Sequence, residues 1–453
     1  MNPRTLHSGL ALIALASAGI YCGLALHPLD WRLRPVIHGG GGVVLGLLYL
    51  AGCVLALRPQ LNERRVALFV LAAGLVFRLI CLGLPGGPGI VPTDDAARYI
   101  IEGRQVAHAQ NPYVLPPDHP RTVRLWIDLP TGEWIERELN HPSWTAIYPP
   151  VVLGVEAMLA ALHPHPWSFK LWALACEAAT CALALLLLHR QGRSPALVVL
   201  LAWNPIGALF ITGEGHQDGL QAALMLTGFL AAAAGRPGRS LCAHAGACLV
   251  KPFAVLPLAA QALAVPRRWW LLPPLIAVLA YLPFLGAGTG ILGSFGRFGT
   301  ELHWHGALYT PLRAGLARLV PAPQLGLVTA CAAIGLLGGG WLLLHRVLRH
   351  RGDDRPLLLS AYGYALLLAC LPTLHAWYFY PLVALLPFAR SWGLTVWTGV
   401  GAAYWLHACA WNGGRWGPAL DWVLLLAHLP AVIIVMIEIR ISRRHQDGDP
   451  PSG

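Results

Sequence analysis

The chain has 453 residues, of which 56% are hydrophobic and only 12% charged, with a mean hydropathy of +0.57 and a formal net charge of +11. A soluble protein of this length would carry about twice that charged fraction, so a set of soluble domains is excluded. The basic surplus is arginine grouped between apolar runs, which points to the inner face of a membrane and to no nucleic acid.

Runs of ~20 apolar residues match the hydrocarbon thickness, and a helix satisfies its own backbone there. In chain order the predicted spans are 8–26, 36–57, 66–84, 169–188, 195–212, 218–234, 269–288, 323–345, 356–372, 375–389, 392–409 and 421–438. The apolar run in 8–26 follows Arg4 and shows no cleavage signal, so it reads as a retained anchor. Segment 148–163 is short and follows Tyr148-Pro149-Pro150, and segment 241–264 is interrupted by Lys251-Pro252. Proline breaks a helix at such points, so both read as half-helices that do not cross. The fold class expected is an all-α polytopic membrane bundle of about 12–13 spans with a large external first loop.

Arginines test that assignment. With the two short segments not crossing, Arg58, Arg64, Arg65, Arg190, Arg193, Arg267, Arg268, Arg346, Arg349, Arg351, Arg355 and Arg390 fall on one side, which becomes the cytoplasmic one together with both termini. The cell inner (plasma) membrane is the location expected. All ten cysteines lie in or at the ends of apolar segments, which fits small buried residues rather than disulfides or a CxxC metal site.

The polar residues gather on the other side. Stretch 85–147 carries Asp94, Asp95, Glu102, Asp118, Asp128, Glu133, Glu136 and Glu138 among arginines, with Tyr99, Tyr113, Trp126, Trp134 and Trp144. So many aromatics argue for a folded loop, and a folded loop of this length for a functional one. Gly213-Glu214-Gly215-His216-Gln217-Asp218-Gly219, His303-Trp304-His305 and Leu374-His375-Ala376-Trp377-Tyr378 lie on the same face, and Lys251-Pro252 breaks the apolar hairpin. Each has a plainer reading: Asp94 or Asp95 as a helix cap, His216 and Asp218 in a solvated turn, Lys251 snorkelling to the interface, the histidine pair as loop. Polar groups at membrane depth are costly, and their concentration on one face marks a site. Carboxylates, cations and aromatics above a broken helix would suit a polar group carried on a lipid. A lipid or polysaccharide transporter would share that pattern, although no internal repeat is visible.

Thr93-Asp94-Asp95-Ala96-Ala97-Arg98-Tyr99-Ile100-Ile101-Glu102-Gly103, followed by Asn111-Pro112-Tyr113, resembles the first external loop of the GT-C superfamily of polytopic glycosyltransferases. The nearer likeness is to bacterial polyprenyl-phosphate-mannose-dependent mannosyltransferases. Further matches follow in order: Asn140-His141-Pro142 with Ile147-Tyr148-Pro149-Pro150, Trp203-Asn204-Pro205, Gly215-His216-Gln217-Asp218, Lys251-Pro252 and His375-Ala376-Trp377-Tyr378. The second loop acid, often Asp in the superfamily, is Glu102, and Ala97 and Ile101 stand where aromatics are expected. The resemblance implies a catalytic core over 66–390, two additional helices in 1–65, and C-terminal helices with a short tail in 391–453. It implies an external site that transfers a hexose, with inversion, from a polyprenyl-phosphate donor to a lipid or glycan acceptor. Asp95, four residues before Tyr99, takes the place of the catalytic base, with Asp94 its rival. Substrate-binding residues carried over are Arg98, Tyr99, Glu102, Asn111, Tyr113, His141, Tyr148, His216, Asp218, Lys251, His375 and Tyr378. Among these Arg98, Lys251, His375 and Tyr378 face the departing phosphate. Some members of the superfamily use a divalent cation and others none, so the cofactor stays open.

Overall fold

The computed structural model describes residues 2–26, 35–84, 93–303, 306–403, 406 and 428–438. Among them every regular element is helical. Helices α1 (Pro3–Leu26), α2 (Pro35–Ala56) and α3 (Glu63–Leu82) come first, then the loop helices α4 (Asp95–Ala107), α5 (Pro120–Val123), α6 (Gly132–Glu138) and α7 (Pro150–Leu162). The bundle continues with α8 (Pro166–Arg190), α9 (Val199–Ala202), α10 (Asp218–Ala233), α11 (Pro237–Cys248), α12 (Val255–Ala262) and α13 (Leu272–Tyr281). It closes with α14 (Phe295–Glu301), α15 (Tyr309–Leu316), α16 (Ala322–Val347), α17 (Arg355–Cys370), α18 (Tyr380–Ala389), α19 (Trp392–Val400) and a helix His428–Glu438. Cys409, Trp304, His305, the C-terminal tail and much of the span placed at 421–438 lie outside the described residues.

Among the described residues six stretches are long and apolar enough to cross a bilayer: α1, α2, α3, α8, Arg267–Gly290 around α13, and Ala322–His350 around α16. The chain is therefore an all-α, multi-pass membrane protein. The shorter count than the twelve runs has a local cause in several of them. The run at 195–212 stops at Trp203-Asn204-Pro205, where proline lacks the N–H a continuing helix needs. The break is sealed by side chains. Asn204 Oδ1 accepts from the Ile206 N–H at 3.1 Å, and its amide donates to Thr398 Oγ1 at 3.0 Å. Beyond it the chain makes a π-helical turn, Gly207–Thr212. Arg78 of α3 straps this region. It bonds Glu177 of α8 at 2.7 Å and the Ala202 carbonyl at 2.7 Å, while Thr212 donates its hydroxyl to the other Glu177 oxygen. An ion pair buried this deeply survives because each charge has a partner and further hydrogen bonds.

The two segments read as half-helices are short. α7 has 13 residues and begins at Pro150, where a proline costs no hydrogen bond. It packs along α4 so closely that a Cβ on Gly103 would stand 2.3 Å from the Glu156 carbonyl oxygen. The interrupted apolar segment becomes the hairpin α11–α12, whose arms have 12 and 8 residues. Lys251 at its tip is extended, as a residue before proline prefers. The carbonyls freed there are met from α10: Gln221 Nε2 donates to Ala247 O at 3.2 Å and to Lys251 O at 2.6 Å.

The arginine loops meet at one end of the bundle. Arg193 bonds Asp354 at 2.6 Å and the Phe388 carbonyl at 2.9 Å, which joins the loops after α8 and before α17 to the last turn of α18. The opposite end gathers residues 93–95, 140–148, 213–218 and 371–378, and the hairpin tip rises into it.

Candidate active site

The first side chains are set by the start of α4. Asp94 holds the N-cap position, but its carboxylate makes no cap; Thr93 Oγ1 accepts from the Asp95 N–H at 3.2 Å instead. Asp95 is thereby released from capping. One oxygen accepts from the Asn140 amide at 3.4 Å, the other lies 3.7 Å from His216 Nδ1, and about a fifth of the side chain is exposed. Burial, then the neighbouring Asp94 charge, pushes its carboxyl up to about 7, against the pull of Lys251, Asn140 and Arg98.

Arg98 does not hold the Asp95 carboxylate. Its Nε and Nη2 bond Glu102 Oε1 at 3.0 and 2.6 Å, and its remaining N–H groups point at the carbonyls of Asn140, His141, Trp144 and Thr145. A guanidinium has five N–H donors, and these contacts use them all. Arg98 and Glu102 are thus a buried brace that holds loop 140–145, and with it Asn140, over Asp95.

Tyr99, one helical step on, faces the site. Its hydroxyl meets His216 Nδ1 at 3.0 Å and the Tyr148 hydroxyl at 3.3 Å. His216 Nε2 is 3.0 Å from Glu214 Oε2. Burial holds this imidazole well below its usual range, so it is neutral at neutral pH. The network assigns its proton to Nε2, donated to Glu214, and leaves Nδ1 to accept from Tyr99. Gly215 has φ +83, a conformation that favours glycine, and lets the loop turn closely over Phe169.

The His216 ring stacks on Trp377 at 3.9 Å, and His375 stacks on Trp377 at 4.4 Å. Burial and the Lys251 charge lower His375 to about 3, so it too is neutral. On the far side Lys251 Nζ bonds both Asp218 oxygens at 2.8 and 2.9 Å and lies 4.3 Å from the centre of the Tyr378 ring. Trp377 and its neighbour Tyr378 link the Asp95–His216 contact to His375 and to Lys251, so the three clusters form one site.

The structure therefore brings together Asp94, Asp95, Tyr99, Tyr148, His216, Asp218, Lys251, His375 and Tyr378. Asn111 and Tyr113 stand apart as ties of the loop between α4 and α7. Asn111 donates to the Phe284 carbonyl at 3.1 Å, and the Tyr113 hydroxyl donates to the Tyr148 carbonyl at 2.6 Å. His141 is exposed and stacks on Trp144 at 4.3 Å. Glu214 and Asn140 were not singled out from the sequence. Glu214 sits within the quoted Gly213–Gly219 stretch, and a second acid two residues before a membrane-edge histidine was the available signal. Among the described residues no group of three metal-ligating side chains gathers.

The site thus groups a partly exposed carboxylate, Asp95, with a paired cation, Lys251. No curated relative and no solved structure matches the chain. Residues 8–267, more than half of it, match the family described as alpha-(1->6)-mannopyranosyltransferase, N-terminal domain. That match favours sugar transfer over transport, and the chain belongs to this family: it is a multi-pass membrane mannosyltransferase, which requires a sugar donor and a glycan acceptor.

Proposed function

We propose that the enzyme takes mannose from a polyprenyl-phosphate donor and passes it, with inversion, to a hydroxyl of a lipid or glycan acceptor on the external face of the inner membrane. The observation that carries this reading is the meeting of Asp95, a partly exposed carboxylate raised to about 7, with the Lys251–Asp218 pair on the tip of a broken hairpin. Asp95 accepts the acceptor's hydroxyl proton as that oxygen attacks the anomeric carbon. The bond from that carbon to the phosphate oxygen breaks, and its electron pair leaves on the phosphate. A base tuned near the working pH combines a large ionised fraction with useful basicity. The Lys251 ammonium offsets the charge that gathers on the leaving phosphate, and neutral His375 and the Tyr378 hydroxyl supply hydrogen bonds. Arg98, whose donors are all occupied, serves by bracing rather than by binding phosphate.

The arginine distribution supports an external site, because the cluster lies at the end opposite the arginine-rich loops. Donor and face are tested together in sealed, right-side-out vesicles. With polyprenyl-phosphate mannose in the membrane, an impermeant acceptor added outside is expected to be mannosylated, and nucleotide-linked mannose to give no product. Transfer from the nucleotide sugar would overturn the donor, and transfer only to acceptor enclosed inside would overturn the face.

A further inference from the structure

At the arginine-rich end, away from the site above, the roots of α8, α10, α12 and α17 enclose a cavity of about 910 Å³. That volume suits a small-molecule or headgroup ligand. Its wall is partly apolar, with Phe229, Ala260 and Leu357. Its rim is charged, with Arg190, Arg193 and Arg355 beside Asp353 and Asp354. Arg193 already neutralises Asp354 at 2.6 Å, and Arg355 spends one nitrogen on His345 at 2.9 Å. The uncommitted donors are then Arg190, which is exposed and bonded to no described side chain, and the rest of the Arg355 guanidinium; among the described lining residues Asp353 is the remaining opposing charge. A further observation points inward. Gln261 of α12 is 2% exposed and lines the cavity, and its amide bonds no described residue. Its two N–H donors are therefore available to a ligand in the cavity.

We propose that this cavity binds a phosphate-ester anion, the headgroup of a membrane amphiphile in the leaflet at this end. Guanidinium forks suit phosphate oxygens, and the apolar wall suits the start of an acyl or prenyl chain. The cavity also lies at the roots of α10 and α12, whose far ends bring Asp218 and Lys251 together. An occupant would tie together the helices that frame the transferase site.

The full-length protein, stripped of lipid in detergent, is titrated with short-chain phosphatidylglycerol and followed by native mass spectrometry and thermal unfolding. Wild type is expected to hold a resistant one-to-one adduct and to unfold at a higher temperature with it. Arg190→Ala is expected to weaken binding about tenfold, as loss of a charge-assisted hydrogen bond should, and Arg190→Ala with Arg355→Ala to abolish it. Arg349→Ala, an exposed arginine at the same end outside the cavity, is expected to bind as wild type. Binding that survives the double variant, or falls equally in Arg349→Ala, would overturn the site. Inorganic phosphate binding as tightly as the lipid would overturn the amphiphile.

Discussion

Mannosyl transfer by purified Asp95→Asn is expected to fall about 10²–10⁴-fold, the range that a positioned general base supplies. Asparagine matches aspartate in shape and can keep the neighbours of Asn140 and His216 in place, so expression and donor binding should persist. Asp94→Asn should lose less, because that carboxylate sits at the N-cap position and not between Asn140 and His216. The reverse asymmetry would move the base to Asp94, and wild-type transfer by Asp95→Asn would remove it from the mechanism. The pH profile gives an independent check. Asp95 must be ionised to accept a proton, and its carboxyl is raised to about 7 by burial and by Asp94. Wild-type kcat/KM should therefore rise with pH through about 7 and then level off. In Asp94→Asn the second raising cause is gone, so the rise should move to lower pH.

Lys251→Ala is expected to cost about 10²-fold or more in turnover, the usual scale for a lost charge-stabilising group. It also leaves Asp218 as a buried, unpaired carboxylate, which by itself destabilises by about 3–5 kcal/mol. The double variant Lys251→Ala with Asp218→Asn separates these effects. It removes the orphan charge and should restore folded yield without restoring transfer. Recovery of transfer in the double variant would show that the pair is only structural. His375→Ala should lower turnover on the same scale, with less loss of folded yield than Lys251→Ala, because both members of the Lys251–Asp218 pair remain. Full activity in both Lys251→Ala and His375→Ala would rule out their assignment to the phosphate.

Much of this arrangement was legible in the sequence, for identifiable reasons. Apolar runs separated by arginine report helices and ends directly, so α1, α2, α3, α8 and the runs around α13 and α16 fall where expected. The broken hairpin was legible because proline after Lys251 forbids a continuous helix. Its depth was not, because that depends on Gln221, an α10 side chain that receives the hairpin's carbonyls. The placement of Asp95 followed the motif, yet the partner of Arg98 did not. The resemblance set Arg98 toward the departing phosphate, whereas the side chain turned toward Glu102 four residues on and toward carbonyls more than forty residues away. Backbone acceptors have no sequence signature. The same holds for the ring stack, in which Trp377 unites His216 and His375 from loops about 160 residues apart.

Lys251 has a further meaning for how the protein is made. Its hairpin starts and ends at the arginine-rich end, so the lysine must travel through the bundle to reach Asp218, and a bare ammonium in hydrocarbon is costly. Asp218 precedes it in the chain by 33 residues, on a helix that is synthesised first. The acceptor for the charge is thus synthesised before the hairpin, and the hairpin is expected to dock into a partly built bundle rather than enter lipid alone. Site-specific crosslinking on arrested nascent chains should therefore catch α10 against α8 before α11 joins α10. Contact of the hairpin with lipid ahead of α10 would contradict that order.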